Sequence, residues 1–202
     1  MAHVVRRDAV FVNCPFDEAF KPLFDAICFT VVACGFRVRS ALEMIDSSEL
    51  RLDKIYKLIE ACDHSIHDLS RVELDDGSGL PRFNMPIELG IALGFKRFSK
   101  RAIALRVLVM DSDKFRYQKF ASDLAGLDIS AHENKSDLVI ARVRHFLSAG
   151  RSGIPSPSVI SEDYGKFELA LPEMALAHSQ TATELTYIDR LRLADFFLST
   201  SR

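Results

Sequence analysis

The chain has 202 residues, 48% of them hydrophobic, and a formal net charge of −2. This size and composition exclude disorder of the whole chain and allow one complete core with a small extension. The weak net charge provides no basic field, so neither nucleic acid nor a membrane surface is an expected partner. No run approaches the roughly 18 to 20 apolar residues of a membrane span, so we expect no membrane-spanning helix. The four cysteines, Cys14, Cys28, Cys34 and Cys62, include no CxxC pair. We therefore expect a reduced, cytoplasmic protein.

Apolar periodicity predicts five strands, each followed by a helix, in the first 150 residues. The strands are predicted at residues 9–13, 36–42, 65–69, 102–110 and 127–131, and the helices at 17–33, 51–62, 84–98, 114–124 and 136–149. Each right-handed crossover returns the chain to the same edge of the sheet. The alternation therefore predicts an α/β fold with a five-stranded parallel sheet and helices on both faces.

A linker rich in Gly, Pro and Ser, residues 150–158, precedes a segment of different character. Helices are predicted at residues 159–177 and 183–198, without further strands. We therefore divide the chain into an α/β domain, residues 1–150, and a helical C-terminal extension, residues 151–202. The extension is too short for a robust core of its own, so we expect it to pack on the first domain or to join copies of the chain in an oligomer. Its apolar side chains are Leu169, Leu171, Met174, Leu185, Ile188, Leu191, Leu193, Phe196 and Phe197.

One carboxylate, Glu88, interrupts the first turns of the otherwise apolar helix at residues 84–98. Asn84 can cap this helix, and Pro86 is tolerated in its first turn. Glu88 shares a helical face with Asn84, so it lies at the rim of a cleft or is solvated at the helix start. A Glu in a first turn also complements the helix dipole, which is worth about 0.3–1 kcal/mol.

Polar side chains collect where the first three predicted strands end, which is where open α/β sheets bind ligands. They are Asn13 and Asp17 after the first strand, with the aromatic Phe16 between them, Arg39 after the second, and Asp68, Arg71, Arg82 and Asn84 after the third. Asp68 can accept hydrogen bonds from ribose hydroxyls or cap the next turn. Arg71 and Arg82 can hold phosphate or pair with the acidic residues between them.

The chain lacks the sequence motifs that mark several common kinds of active site. Neither GxGxxG nor GxxxxGK[ST] follows the first strand, which removes the Rossmann dehydrogenase and P-loop interpretations. His64 and His67 lie three apart on a strand and point to opposite faces, so they cannot chelate one metal. Cys14 is a nucleophile candidate only if it faces the cleft, and otherwise it is a packed thiol. The sequence predicts no metal and no bound cofactor.

Three segments resemble the nucleoside 2-deoxyribosyltransferase-like and TIR-like superfamily over about residues 9 to 110. They are residues 13–17 (NCPFD), 62–70 (CDHSIHDLS) and 84–92 (NMPIELGIA). In the transferase branch, a strand ends in Asp, and a loop leads into a helix with an ELGxA pattern whose Glu is catalytic. Asp68 and Glu88 match those two positions. The resemblance implies a flavodoxin-like (TIR-like) fold with Glu88 acting at the anomeric carbon of a ribosyl group.

For function, the resemblance implies a nucleotide N-glycosidase or ribosyltransferase, with NAD as the candidate substrate and bacterial anti-phage defence as the setting. Transferases acting on free deoxynucleosides usually have an aromatic residue and small residues after the first strand, plus an Asp ahead of the catalytic helix. Here residues 13–17 and Asn84 differ from that pattern, so the substrate stays open. The alternative is a non-catalytic nucleotide-binding module whose C-terminal helices transmit ligand occupancy to a partner.

Overall fold

The computed structural model describes residues 8–74, 79–100 and 104–200. Its strands are β1 (Ala9–Asn13), β2 (Arg37–Arg39), β3 (His64–Asp68), β4 (Arg106–Asp111) and β5 (Ser130–Ala131). Its α-helices are α1 (Lys21–Ala33), α2 (Arg51–Ala61), α3 (Asn84–Phe98), α4 (Ser136–Ser148), α5 (Pro157–Ala177) and α6 (Tyr187–Thr200). Short 3-10 helices span Ala41–Glu43, Arg116–Lys119 and Ser122–Leu124.

The five strands form one parallel sheet in the order β2-β1-β3-β4-β5. This confirms the predicted α/β fold, and the strand order is that of flavodoxin-like sheets. In such a sheet the order reverses between β1 and β3, and the loops after these two strands diverge there. The loop after β1 and the segment between β3 and α3 therefore frame the crevice in which a ligand is expected.

Strand β1 is buried on both faces of the sheet, because helices cover both. Val10 and Val12 pack in the core that contains α1 and α4, whereas Ala9 and Phe11 pack in the core that contains α2. A third cluster joins α3 to Leu69 and β4. The alternating side chains of one strand thus anchor the two helical layers to a common sheet.

The C-terminal helices α5 and α6 pack on α1 and share its core. The Phe167 ring stacks on Phe29, with centroids 5.2 Å apart, and the Tyr187 ring stacks on Phe24 at 5.7 Å. Most of the apolar residues noted in this segment are buried or partly buried in that core: Leu171, Met174, Leu185, Leu191, Leu193 and Phe197. Leu169, Ile188 and Phe196 remain exposed. The extension is therefore packed on the α/β domain.

Several predicted element bounds differ from the structure. Residues 114–124 form two 3-10 helices instead of one α-helix, because Phe115 adopts a left-handed conformation (φ 61°) that interrupts the helix. The second strand ends at Arg39, where a capping box of Ser40 and Glu43 begins a 3-10 helix. Strand β5 is only two residues long, and part of the predicted fourth strand lies outside the described residues.

Two predictions about helix starts were also wrong. The first helix begins at Lys21 and not at Asp17, because Asp17 is used in the preceding turn, where its Oδ1 accepts from the Phe20 N–H at 3.0 Å. Asn84 does not cap α3: it is the first helical residue, and Phe83 precedes it in a helical conformation without a side-chain cap. Among the described residues, no helix is both long and apolar enough to cross a membrane.

Candidate functional site

A cavity of about 560 Å³ opens at the carboxyl edge of the sheet, between the loop after β1 and the start of α3. Its walls include five of the sequence-predicted site residues, namely Asn13, Phe16, Arg82, Asn84 and Glu88, together with Cys14, Pro15, Arg51, Leu80, Pro81, Phe83 and Met85. We call it the Glu88 cavity. Its volume falls within the roughly 300–1,000 Å³ typical of small-molecule sites.

Glu88 is the only carboxylate among the described residues that line this cavity. The residue is 5% exposed, although it lies in the second turn of α3, where a surface carboxylate would be solvated. Burial raises the pKa of Glu88, while the Arg51 guanidinium acts in the opposite direction. A carboxylate held in a wall of a cavity, with a perturbed pKa, is a candidate for chemistry.

Arg51 is the ionic partner of Glu88, with Nη2 lying 3.5 Å from Glu88 Oε1. Its side chain is 59% exposed. Because the guanidinium is largely solvated and its contact with Glu88 is long, its departure costs the arginine little but leaves the buried carboxylate without its partner. Arg51 therefore covers Glu88 and can also reach an anion that enters the cavity.

Asn13 is fixed by a buried hydrogen-bond chain beneath the cavity. Its Nδ2 lies 2.9 Å from His67 Nδ1 and donates to the Met85 carbonyl at 3.2 Å. The other ring nitrogen of His67, Nε2, lies 3.0 Å from Ser65 Oγ. Burial lowers the pKa of His67 to about 3, so the ring is neutral and Nδ1 accepts from Asn13. With both amide hydrogens engaged, the Asn13 oxygen is the group left to accept from a ligand hydroxyl.

Two aromatic side chains stand at the margin of the cavity. Phe16 is 40% exposed and makes an edge-to-face contact with Phe24, whereas Phe83 is 58% exposed. Exposed aromatic rings at a cleft provide flat apolar faces on which a base can stack. Both lie in the wall that also contains Glu88.

Asp17 ties the surrounding segments together. Its Oδ2 accepts from Arg82 Nη1 at 2.9 Å and lies 3.4 Å from Arg71 Nε. Asp17 thus pairs with both arginines that the sequence suggested for phosphate, and its single negative charge offsets one of their two positive charges. Arg82 stays in the wall of the Glu88 cavity, whereas Arg71 lines a different cavity of about 430 Å³ beside Ser70.

Asp68 does not join Glu88. It is fully buried, its Oδ1 accepts from the Ser70 N–H at 2.9 Å, and its Oδ2 lies 3.0 Å from His132 Nε2. His132 Nε2 also lies 2.8 Å from Ser70 Oγ, while its Nδ1 accepts from the Asn134 N–H. A neutral His132 therefore carries its proton on Nε2 and cannot act as the base for Ser70, so the cluster connects loops and is not a hydrolytic triad.

Arg39 also lies apart from the cavity walls. Its Nε donates to Glu43 Oε1 at 2.5 Å, within the capping box that follows β2. This bond raises the pKa of Arg39. Cys14 does line the Glu88 cavity, but it is buried, and burial together with nearby carboxylates raises the pKa of its thiol. A protonated thiol is a poor nucleophile, so Cys14 is a packed wall residue.

Sequence reasoning missed Arg51 and Phe83. One signal for Arg51 was present: a cation at the first residue of a helix opposes the helix dipole, which suggests a partner elsewhere. Phe83 lay in a loop without periodicity and left no such signal. Only the structure shows that Phe83, directly before α3, lies in the wall of the cavity.

A comparison with protein-family models finds no match, and a comparison with curated proteins finds no significant match. Among the described residues, no group of three or more His, Cys, Asp and Glu side chains is arranged to hold a metal ion.

Proposed function

We propose that the chain cleaves or transfers at the N-glycosidic bond of a nucleotide, with NAD as the preferred substrate. The observation that carries this proposal is a single buried carboxylate, Glu88, in the wall of an open cavity that also presents Asn13, Arg51 and aromatic rings. The resemblance to the nucleoside 2-deoxyribosyltransferase-like and TIR-like superfamily supports the same chemistry.

In this mechanism Glu88 faces the anomeric carbon of the ribosyl group. As the C1′–N bond breaks, the base leaves with the bonding electrons, and positive charge develops on the sugar. The Glu88 carboxylate stabilises that charge or bonds to C1′, and water or an acceptor hydroxyl then completes the transfer and loses a proton. Arg51 must release Glu88 for this step.

The presence of one carboxylate favours NAD over a neutral nucleoside. Glycosidases commonly use two carboxyl groups, one of which protonates the leaving group. Nicotinamide carries a positive charge in NAD and leaves as a neutral molecule, so it needs no proton. The described residues of the Glu88 cavity offer no second carboxyl group.

Phosphate recognition falls to Arg51 in this proposal, because Arg82 is already paired with Asp17 at 2.9 Å. When Arg51 moves from Glu88 to a ligand phosphate, it uncovers the carboxylate in the same step. Asn13, through its free oxygen, orients a ribose hydroxyl. Phe16 and Phe83 flank the base.

The alternative proposal is a non-catalytic nucleotide-binding module that transmits occupancy to a partner. The ion pair between Arg51 and Glu88 favours it, because the carboxylate is engaged by a side chain of the protein itself. We further propose that the protein works in the cytoplasm, since its four cysteines are buried and form no disulfide, and that it assembles into homo-oligomers through α5 and α6. A role in bacterial anti-phage defence rests on the resemblance alone.

Incubation of the full chain with NAD separates the two proposals. Chromatography should show release of nicotinamide that grows with time and enzyme concentration. A rise in melting temperature with NAD but no product would support the binding module instead. If NAD gives no product and no rise in melting temperature, both proposals are contradicted.

A further inference from the structure

A second cavity, which we call the α1–α6 cavity, lies between these two helices and encloses about 220 Å³. Its walls are mainly apolar and include Phe24, Phe29, Leu42, Phe167, Leu185 and Leu191. An apolar cavity of about 150 Å³ holds a benzene molecule. The α1–α6 cavity therefore has room for a six-membered ring with a short substituent.

The charged groups of this cavity neutralise one another. Lys21 Nζ lies 2.6 Å from Asp25 Oδ2, and Arg190 Nε lies 3.2 Å from Asp25 Oδ1. Arg190 also pairs with Glu168. Glu18, exposed in the same wall, adds a further negative charge. An anionic ligand would meet paired cations and repelling carboxylates, so the cavity suits a neutral ligand.

Among the described residues of the walls, Tyr187 supplies the one buried side-chain oxygen that lacks a partner. Its ring stacks on Phe24, and its hydroxyl is buried with no hydrogen-bond partner among the described residues. Burial raises the pKa of Tyr187, so the hydroxyl stays protonated and is a donor. A buried donor without an acceptor is unfavourable, and an acceptor atom on a ligand would relieve this cost.

We propose that the α1–α6 cavity is a second small-molecule site, which takes a neutral, largely apolar ring compound with one hydrogen-bond acceptor for Tyr187. This site is independent of the chemistry at Glu88. Among the described residues, only Pro15 and Phe16 belong to the walls of both cavities.

The test uses acetophenone, which has a carbonyl acceptor, and ethylbenzene, which has the same shape without one. Each is titrated into the isotopically labelled full chain and followed by amide NMR shifts. The Tyr187→Phe variant should bind acetophenone about five-fold more weakly, the loss expected for one hydrogen bond. Its affinity for ethylbenzene should not change.

Tyr164→Phe is the matched control, because Tyr164 packs in the same core but donates to the Pro22 carbonyl and does not line the cavity. It should leave the affinity for both probes unchanged. Ala194→Leu, which adds volume in the cavity wall, should abolish binding of both probes. Phe83→Ala, in the wall of the Glu88 cavity alone, should have no effect.

The proposal is overturned if neither probe binds the wild-type chain at millimolar concentration. It is also overturned if both bind but Tyr187→Phe and Ala194→Leu leave the affinities unchanged, because the probes then bind elsewhere. If Ala194→Leu does not fold, the difference in acetophenone affinity between Tyr187→Phe and Tyr164→Phe decides the test, and equal affinities overturn the proposal.

Discussion

At the scale of the residue, the behaviour of Glu88 depends on two opposing effects. Burial disfavours its charged form, and Arg51 favours that form from an exposed position. Because burial is the larger effect, the folded chain holds a Glu88 proton more tightly than the unfolded chain does. This relation makes stability depend on pH in a definite direction.

The first prediction concerns that dependence. Since the pKa of Glu88 is raised on folding, wild-type stability falls as pH rises from the ordinary value of 4.5 through the folded pKa. Glu88→Gln removes this loss, so the variant should be more stable than wild type at pH 8 and should approach it near pH 4. Urea unfolding across this range measures the difference.

The matched control is Glu173→Gln, which replaces an exposed glutamate on α5. It should track the wild type at every pH. A Glu88→Gln variant that is less stable than wild type at pH 8 would contradict the assignment of burial as the dominant effect.

A second prediction concerns Arg51. If its guanidinium binds ligand phosphate, Arg51→Gln should weaken NAD binding about ten-fold and leave binding of nicotinamide riboside, which lacks phosphate, nearly unchanged. Isothermal titration calorimetry measures both affinities in the Glu88→Gln background, which prevents turnover during the measurement. Arg192→Gln, at an exposed arginine on α6, is the control. Equal losses for both ligands would argue against a phosphate contact.

At the scale of the element, the sequence predicted α2 and α3 almost to the residue, because their apolar periodicity is unbroken over three or more turns. Residues 114–124 and β5 were poorly predicted for a different reason. Their conformation depends on a positive φ at Phe115 and on a two-residue pairing with β4, and neither leaves a periodic pattern.

The candidate site was predictable in part. The alternation of side chains along a strand explains the main error, which concerns Asp68. Asn13 and His67 are register partners of β1 and β3, and their side chains meet on the face of α3. Asp68 is the next residue after His67, so it points to the opposite face, toward His132. The resemblance suggested that Asp68 and Glu88 contribute to one site, but the alternation of side chains along β3 directs Asp68 away from Glu88.

The exposed apolar residues of α5 and α6 give a prediction at the same scale. Leu169 is 85% exposed and Phe196 is 59% exposed, whereas the other apolar side chains nearby are mostly inside. If these helices join copies of the chain, Leu169→Glu combined with Phe196→Glu should convert the oligomer into a folded monomer, because assembly would then bury two charges without partners. Light scattering coupled to size exclusion measures the mass. A wild-type chain that is monomeric at high micromolar concentration would contradict the oligomer.

At the scale of the whole molecule, the parallel sheet gathers the functional groups at one edge. The loop after β1 provides Asn13 and Phe16, and α3 provides Glu88. Arg51 reaches the same edge because helices in such folds begin where strands end. The C-terminal helices pack on α1, which follows the first loop of the cavity, and the α1–α6 cavity adjoins that loop through Phe16.

The most direct test of Glu88 as the catalytic carboxylate is the rate of nicotinamide release from NAD by Glu88→Gln, compared with wild type and with Glu173→Gln. Circular dichroism establishes that each variant is folded. We predict a loss of about 100-fold or more for Glu88→Gln, the scale expected when a group that stabilises developing charge is removed, and no loss for Glu173→Gln. Turnover by folded Glu88→Gln at the wild-type rate would contradict the assignment of Glu88 as the catalytic carboxylate.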